Sequence, residues 1–207
     1  VFRVDLNPEH KVSTESSDQK PLVLNAVKLA DVNEEGKNPR RFYEPPTFTI
    51  HKDGGKRFAV LAMSSGDRSS PLVTDENAPK DIVVAIEDHD VTKTPVIVSN
   101  TVNLSDLHNL SGETGRRTTA KGWYYLTEIE SKKLRGFEPG IALDNDLYFS
   151  LFNPDKTTAD TDNVTSCTGG ITGESIAYKF CLPYGICSAT VKGPEKVGSL
   201  GPGILGL

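Results

Sequence analysis

Short apolar or alternating runs, closed off every few residues by Gly, Pro, Asn, Asp or Ser, recur along this chain and leave little room for anything but β-strands. The candidate strands are Val1–Leu6, Leu22–Leu29, Thr47–His51, Phe58–Met63, Ile82–Glu87, Val96–Val102, Trp123–Thr127, Ile141–Leu143, Leu147–Phe152 and Ser175–Cys181. They are rich in Val, Ile, Phe, Tyr and Thr, whose side chains fit a pleated, half-buried surface. Long amphipathic helical periods are absent; at most, Asn103–Leu110 or Thr127–Leu134 makes a short helix. Lys52-Asp-Gly-Gly-Lys56 predicts a tight hairpin, because Gly54 and Gly55 accept the positive φ that such a turn demands. Leu143-Asp-Asn-Asp-Leu147 predicts a second.

Strands at this pace imply an all-β sandwich, barrel or propeller. The runs at 47–51, 58–63, 82–87 and 96–102 form one group of four, and those at 123–127, 141–143, 147–152 and 175–181 form another. Groups of four that hide their faces only against neighbours favour a propeller. Two stretches read as insertions: the polar Asn7–Lys20 and the Thr/Asp/Gly-rich Asn153–Gly173. Neither carries an anchoring aromatic, so mobility is expected of both.

A chain of 207 residues supplies one ordinary core or two small ones. Its net charge of −5 offers no surplus of cations to displace counterions from phosphate, which argues against a nucleic-acid ligand. No window approaches 18 uninterrupted apolar residues, so no transmembrane helix is expected. The chain opens on strand-like Val1-Phe-Arg-Val-Asp-Leu6 and stops on apolar Gly201-Pro-Gly-Ile-Leu-Gly-Leu207. Both ends read as cuts inside a larger protein, with any targeting sequence upstream.

Of three cysteines, Cys181 and Cys187 flank Pro183-Tyr-Gly185, a turn-forming segment able to bring them within disulfide range. Cys167 is left over: free, exchanging with one of the pair, or bonded to a thiol elsewhere. The spacing does not suit zinc, and the cysteines lean towards an oxidising compartment.

The order of several local motifs resembles the C-terminal β-propeller of the type IV pilus tip and biogenesis proteins, the PilC/PilY family. Val1-Phe-Arg-Val-Asp-Leu6 is similar to the family's N-[VL]-[WF]-R-[FV]-D-L strand, and Glu44-Pro-Pro46 to the proline-containing entry of a later one. Arg57–Gly66 resembles the strand ending in Gly-Thr-Gly, with Ser64-Ser65-Gly66 in that place. Ile82–Thr92 is similar to x-v-Y-G-I-x-D-x-d, with Ala85 where Gly is usual, and Lys121-Gly-Trp-Tyr-Tyr-Leu126 to k-G-W-Y-l-d-L. Glu138–Phe152, running into Asn153-Pro154, and Ser166-Cys-Thr-Gly-Gly170 resemble the family's closing segments. Each motif alone is a strand with its turn; their shared order carries the resemblance.

The resemblance implies part of a modified seven-bladed propeller, about two to three blades of one domain spanning 1–207. It implies a protein of the bacterial cell surface or pilus tip, secreted and associated with the outer membrane. The implied role is pilus assembly, opposition to pilus retraction, and attachment to host or abiotic surfaces. The implied partners are pilus subunits, surface receptors and the remainder of the parent propeller, with no catalysis and no membrane insertion. The family's calcium loop would lie upstream of Val1, so no cofactor and no metal ligand is assigned to this chain. Glu87-Asp-His-Asp90 lacks the glycine and distal glutamate of an EF-hand-like loop, and Asp160-Thr-Asp-Asn163 lacks converging oxygens. Both are expected to be solvated acidic segments.

The histidines His10, His51, His89 and His108 are scattered without metal spacing. The chain also lacks a Gly-x-Ser-x-Gly elbow, a P-loop and a dinucleotide fingerprint. Trp123-Tyr-Tyr125, the densest aromatic cluster, is expected to pack between sheets. An exposed Trp123 would instead favour a lectin-like sugar-binding domain, and a bound chromophore a quinoprotein-type propeller enzyme. Asn153–Gly173 and Val73–Lys80 are the first candidates for a display surface.

Overall fold

The computed structural model describes residues 1–10, 20–72, 79–93, 100–112, 119–129, 132–157, 172–187 and 193–207. Over them the protein is all-β, with a 3-10 turn at Leu104–Asp106 and no α-helix. In chain order the strands are β1 (Phe2–Leu6), β2 (Val23–Lys28), β3 (Ala30–Asp31), β4 (Thr47–Asp53), β5 (Lys56–Ser64), β6 (Ile82–Asp88), β7 (Val102–Asn103) and β8 (His108–Asn109). There follow β9 (Gly122–Leu126), β10 (Glu128–Ile129), β11 (Lys132–Lys133), β12 (Arg135–Gly136), β13 (Ile141–Leu143), β14 (Asp146–Thr157), β15 (Thr172–Cys181) and β16 (Glu195–Pro202).

Two antiparallel meanders dominate. The first sheet runs β4-β5-β6-β9, with β8 added parallel at its far edge. The second runs β14-β15-β16, and the place before β14 is shared by β13 and β12, which pair with successive parts of it. Smaller pairs are the antiparallel β1–β2 hairpin, β10–β11, and the parallel β3–β7. None of these sheets closes on itself.

The turn chemistry anticipated from sequence is present at both hairpins. Asp53 pairs with Lys56 across Gly54 (φ 54°) and Gly55 (φ 83°), the two consecutive positive φ values of a type I′ turn. Leu143 pairs with Asp146 across Asp144 (φ 49°) and Asn145 (φ 68°), the non-glycine residues that best tolerate this geometry.

The main core lies between the two meanders. Phe58, Val60 and Ala62 of β5, Val83 and Ala85 of β6, and Trp123 and Tyr125 of β9 face Leu147, Phe149, Leu151, Ile176, Tyr178 and Phe180 of the second sheet. Trp123 stacks on Phe180 at 5.1 Å, and Phe149 meets the same ring edge-on at 6.3 Å. Fully burying each such ring contributes roughly 1.5–3 kcal/mol. On the opposite face of the first sheet, Met63, Ile82, Val84 and Ile86 pack with Leu29, Ala30, Val32, Val102 and Leu107. At β6 the first sheet is therefore covered on both sides, which is why this strand reads Ile-Val-Val-Ala-Ile without alternation and every one of its residues is buried.

Backbone approaches backbone where the sheets meet at Ser64-Ser65-Gly66. The Gly136 amide donates to the Ser65 carbonyl at 2.9 Å, and a Cβ on Gly66 would lie 2.7 Å from the Gly136 carbonyl oxygen. A Cβ on Gly136 would fall 2.0 Å from Ser64 Oγ, so only small residues fit on either side. The Ser65 hydroxyl donates to Asp81 at 2.7 Å and accepts from the Ile82 amide at 2.9 Å. Burial holds the Asp81 carboxyl above the usual range, against the opposing Ser65 hydrogen bond.

Four sequence expectations are corrected. The fourth strand of the first group is β9 rather than Val96–Val102. Residues 94–99 lie outside the described residues, and Val102–Asn103 pairs with β3 instead. β9 takes the edge of β6 because Gly122, at φ 133°, lets the chain come close to Ala85. A Cβ there would meet the Ala85 oxygen at 2.1 Å. The helix considered for Thr127–Leu134 is a tight strand pair, closed by Leu134 N–H to the Thr127 carbonyl at 3.0 Å and the Thr127 hydroxyl to the Leu134 carbonyl at 2.5 Å. That considered for Asn103–Leu110 shrinks to the single 3-10 turn. Finally, β16 was not anticipated. Its Gly198, Gly201 and Pro202 read as loop, yet they suit an edge strand with register shifts opposite Ser175/Ile176 and Ala177/Tyr178.

Candidate interaction surfaces

Of the acidic run Glu87–Asp90, expected to be solvated, Glu87 and Asp88 are buried while His89 stays exposed. Asp88, buried at the end of β6, accepts from Arg3 Nη1 at 3.0 Å, and Arg3 Nε donates to Asp5 at 2.8 Å. The same guanidinium donates to the carbonyls of Asp90 and Lys93. One planar fork thus ties the β1–β2 hairpin to the first sheet. Glu87 is engaged by His89 Nε2 at 2.9 Å, and the His89 ring stacks on Phe58 at 4.9 Å. Sequence reading weighed these acids as a group in water; the partner, Arg3, lies 85 positions away and gave no local signal.

Cys181 and Cys187 are joined by a disulfide, with Cα atoms 4.9 Å apart. The short loop that it closes caps the end of the main core. Leu182, Tyr184 and Ile186 pack against that core, and Trp123 Nε1 donates to the Pro183 carbonyl at 2.9 Å. Gly185 (φ 75°) sits so close that a Cβ would lie 2.5 Å from Leu110 Cδ1 and 2.7 Å from the indole. Trp123 is 1% exposed, so its ring has no free face for a sugar. Burial, then Tyr178, pushes the neighbouring Tyr125 hydroxyl up to about 12. Cys167 and Asp160–Asn163 lie outside the described residues, as do most of Asn153–Gly173 and Val73–Lys80 and the centre of Asn7–Lys20.

What the molecule offers outward is apolar sheet surface. On β1, Phe2 (72% exposed), Val4 and Leu6 point to solvent together with Leu24 and Ala26 of β2. The polar Arg3, Asp5 and Asn25 point inward, the reverse of a hairpin meant to face water. On the first strands of the two meanders, Phe48 and Ile50 of β4 and Ile141 and Leu143 of β13 are exposed as well. β4 and β13 lie side by side, linked by the Thr47 hydroxyl donating to the Gly140 carbonyl at 2.6 Å. A cleft of about 430 Å³ opens between them, lined by Thr49, Ile50, His51, Ala142 and Leu143 among others. Burial lowers the His51 pKa there. Among the described residues no group of three or more His, Cys, Asp or Glu converges as a metal site.

No family model, no curated protein and no solved structure matches the chain.

Proposed function

We propose that this chain forms part of a β-propeller that acts, without catalysis, as a type IV pilus biogenesis and adhesion factor of the kind it resembles in sequence. One structural observation carries the propeller part: two meander sheets stack face to face with their first strands, β4 and β13, side by side. Blades stack in this manner around an axis, each sheet burying both faces against its neighbours. One face of β4-β5-β6-β9 packs on the second meander, its other face is covered over β6 and open at Phe48 and Ile50 of β4, and on this reading further blades would stack on apolar faces of that kind.

The pilus part rests on the order of the sequence motifs. On this reading the protein works at the cell surface or pilus tip, outside the cytoplasm. Its partners are pilus subunits and the receptors of a host cell or abiotic surface. Loops between rigid blades do the recognition, and neither cofactor nor metal is required of this chain. The buried Trp123 favours it over a lectin-like domain built on that ring.

The test is to count surface pili after deleting the parent gene, in strains with and without the retraction motor. Loss of pili that is reversed by disabling retraction is the expected result. Unchanged pili in both strains would overturn the pilus role.

A further inference from the structure

The loop between Cys181 and Cys187 is rooted in the second sheet and reaches across to the first. Cys181 ends β15, and the Leu182 amide donates at 2.6 Å to the carbonyl of Asn145, in the turn between β13 and β14. Beyond that point its partners belong to the other meander. The Pro183 carbonyl accepts from Trp123 of β9, and the Tyr184 hydroxyl donates at 2.8 Å to Asp53, beside the β4–β5 turn. Gly185, buried, rests on Leu110 and on the indole of Trp123. The loop therefore latches the two meanders together at one end of the main core.

Its apolar packing is partial, since Leu182, Tyr184 and Ile186 are each only half-buried, and the disulfide brings the chain back to β15 six positions after leaving it. The two sulfurs stand in different settings. Cys187 is exposed, open to an attacking thiol. Cys181 is half-buried, its Sγ 3.4 Å from Asp146 Oδ1, a carboxylate that also accepts from the Tyr148 hydroxyl at 3.2 Å and has Lys179 Nζ at 3.9 Å. A disulfide sulfur has no hydrogen to give, whereas a Cys181 thiol would have one and would donate it to this carboxylate. The reduced state is thereby provided for: Cys181 stays anchored on β15, and Cys187 is free to leave with the loop.

We propose that the Cys181–Cys187 bond is a redox-sensitive latch, and that a dithiol reductant opens the loop while both meanders stay folded. One thiolate of the reductant attacks Cys187 Sγ and the S–S bond breaks. Cys181 leaves as a thiolate and takes up the proton that the reductant gave up, becoming the thiol held by Asp146. The second thiolate of the reductant then displaces Cys187, which is protonated in turn. Two electrons and two protons pass to the protein, and the dithiol ends as a disulfide. With the loop released, the contact of Tyr184 with Asp53 is lost and the edge of Trp123 beneath Pro183 and Gly185 is uncovered.

The experiment is hydrogen exchange of the purified full-length gene product with and without dithiothreitol, read by peptide mass spectrometry, with reduction verified by alkylation of Cys181 and Cys187 in a parallel sample. Exchange at Leu182 and Gly185 should rise roughly 40-fold on reduction, the entropy of closing so short a loop, while the amides of β14 and β15 stay slow. Hydroxyl-radical oxidation of Trp123 should rise with it, and removing the reductant should restore both. Unchanged exchange in a fully reduced sample overturns the latch, because packing alone then holds the loop. Acceleration throughout β14 and β15, or an opening that does not reverse, overturns it as well, because the bond is then a staple of the fold. Cys187→Ser without reductant should show the same open loop, and a protected loop in that variant contradicts the proposal. None of these readouts depends on pilus counts, so the latch and the pilus role stand or fall separately.

Discussion

Arg3 shows how much of this structure is decided by single side chains. Its guanidinium is bonded to two carboxylates, Asp5 and Asp88, and to two backbone carbonyls, nearly all of it away from water. Arg3→Ala would leave both acids buried without their cation, a loss of about 3 kcal/mol. Arg3→Lys would recover only part of it, because an ammonium cannot reproduce the fork. Urea unfolding followed by Trp123 fluorescence, with hydrogen exchange across β1–β2, measures both. An Arg3→Ala protein as stable as the parent would contradict the clamp. At Ser64-Ser65-Gly66 the side chains are small for a reason visible in the packing. The close approach of Gly136 calls for small residues there, and serine meets that need while supplying the hydroxyl bonded to Asp81.

At the level of elements, the two type I′ turns set the register of the strands they join. Asp144 and Asn145 hold positive φ with side chains present, whereas Gly54 and Gly55 hold it without. Replacing Asp144-Asn145 by Asn-Gly should stabilise the β13–β14 hairpin by ~0.5–1 kcal/mol, seen as a higher urea midpoint at unchanged m-value. No change or a loss would mean that Asp144 and Asn145 hold the turn by more than their backbone preference. Strand existence was legible in sequence because apolar β-branched runs and turn residues are local signals, and both hairpins fell where Gly-Gly and Asp-Asn stood. Pairing was less legible. Nothing in Gly122–Leu126 states that it belongs to β6 rather than to Ile141–Leu143; the close approach of Gly122 to Ala85 decides it. β16 was hidden because glycine and proline are punctuation in most contexts and become strand residues only at an edge. The Arg3 clamp was hidden for a similar reason, since sequence distance conceals a contact made by folding.

Across the described residues, the two meanders are joined by an apolar core, while the β1–β2 hairpin is held to the first of them by the Arg3 clamp. The tail is tied back over the second meander, where Ser175 Oγ donates to the Gly203 carbonyl at 2.7 Å and accepts from the Leu205 amide at 2.9 Å. On the outer face of the hairpin, Phe2, Val4 and Leu6 are exposed among the described residues. The most direct measurement is a cryo-electron microscopy or crystal structure of the full-length gene product. The propeller reading predicts sheets stacked around a closed ring, with β4 and β13 lining its axis and Phe2, Val4 and Leu6 buried against the next sheet. A self-contained sandwich with those three residues in water would contradict it.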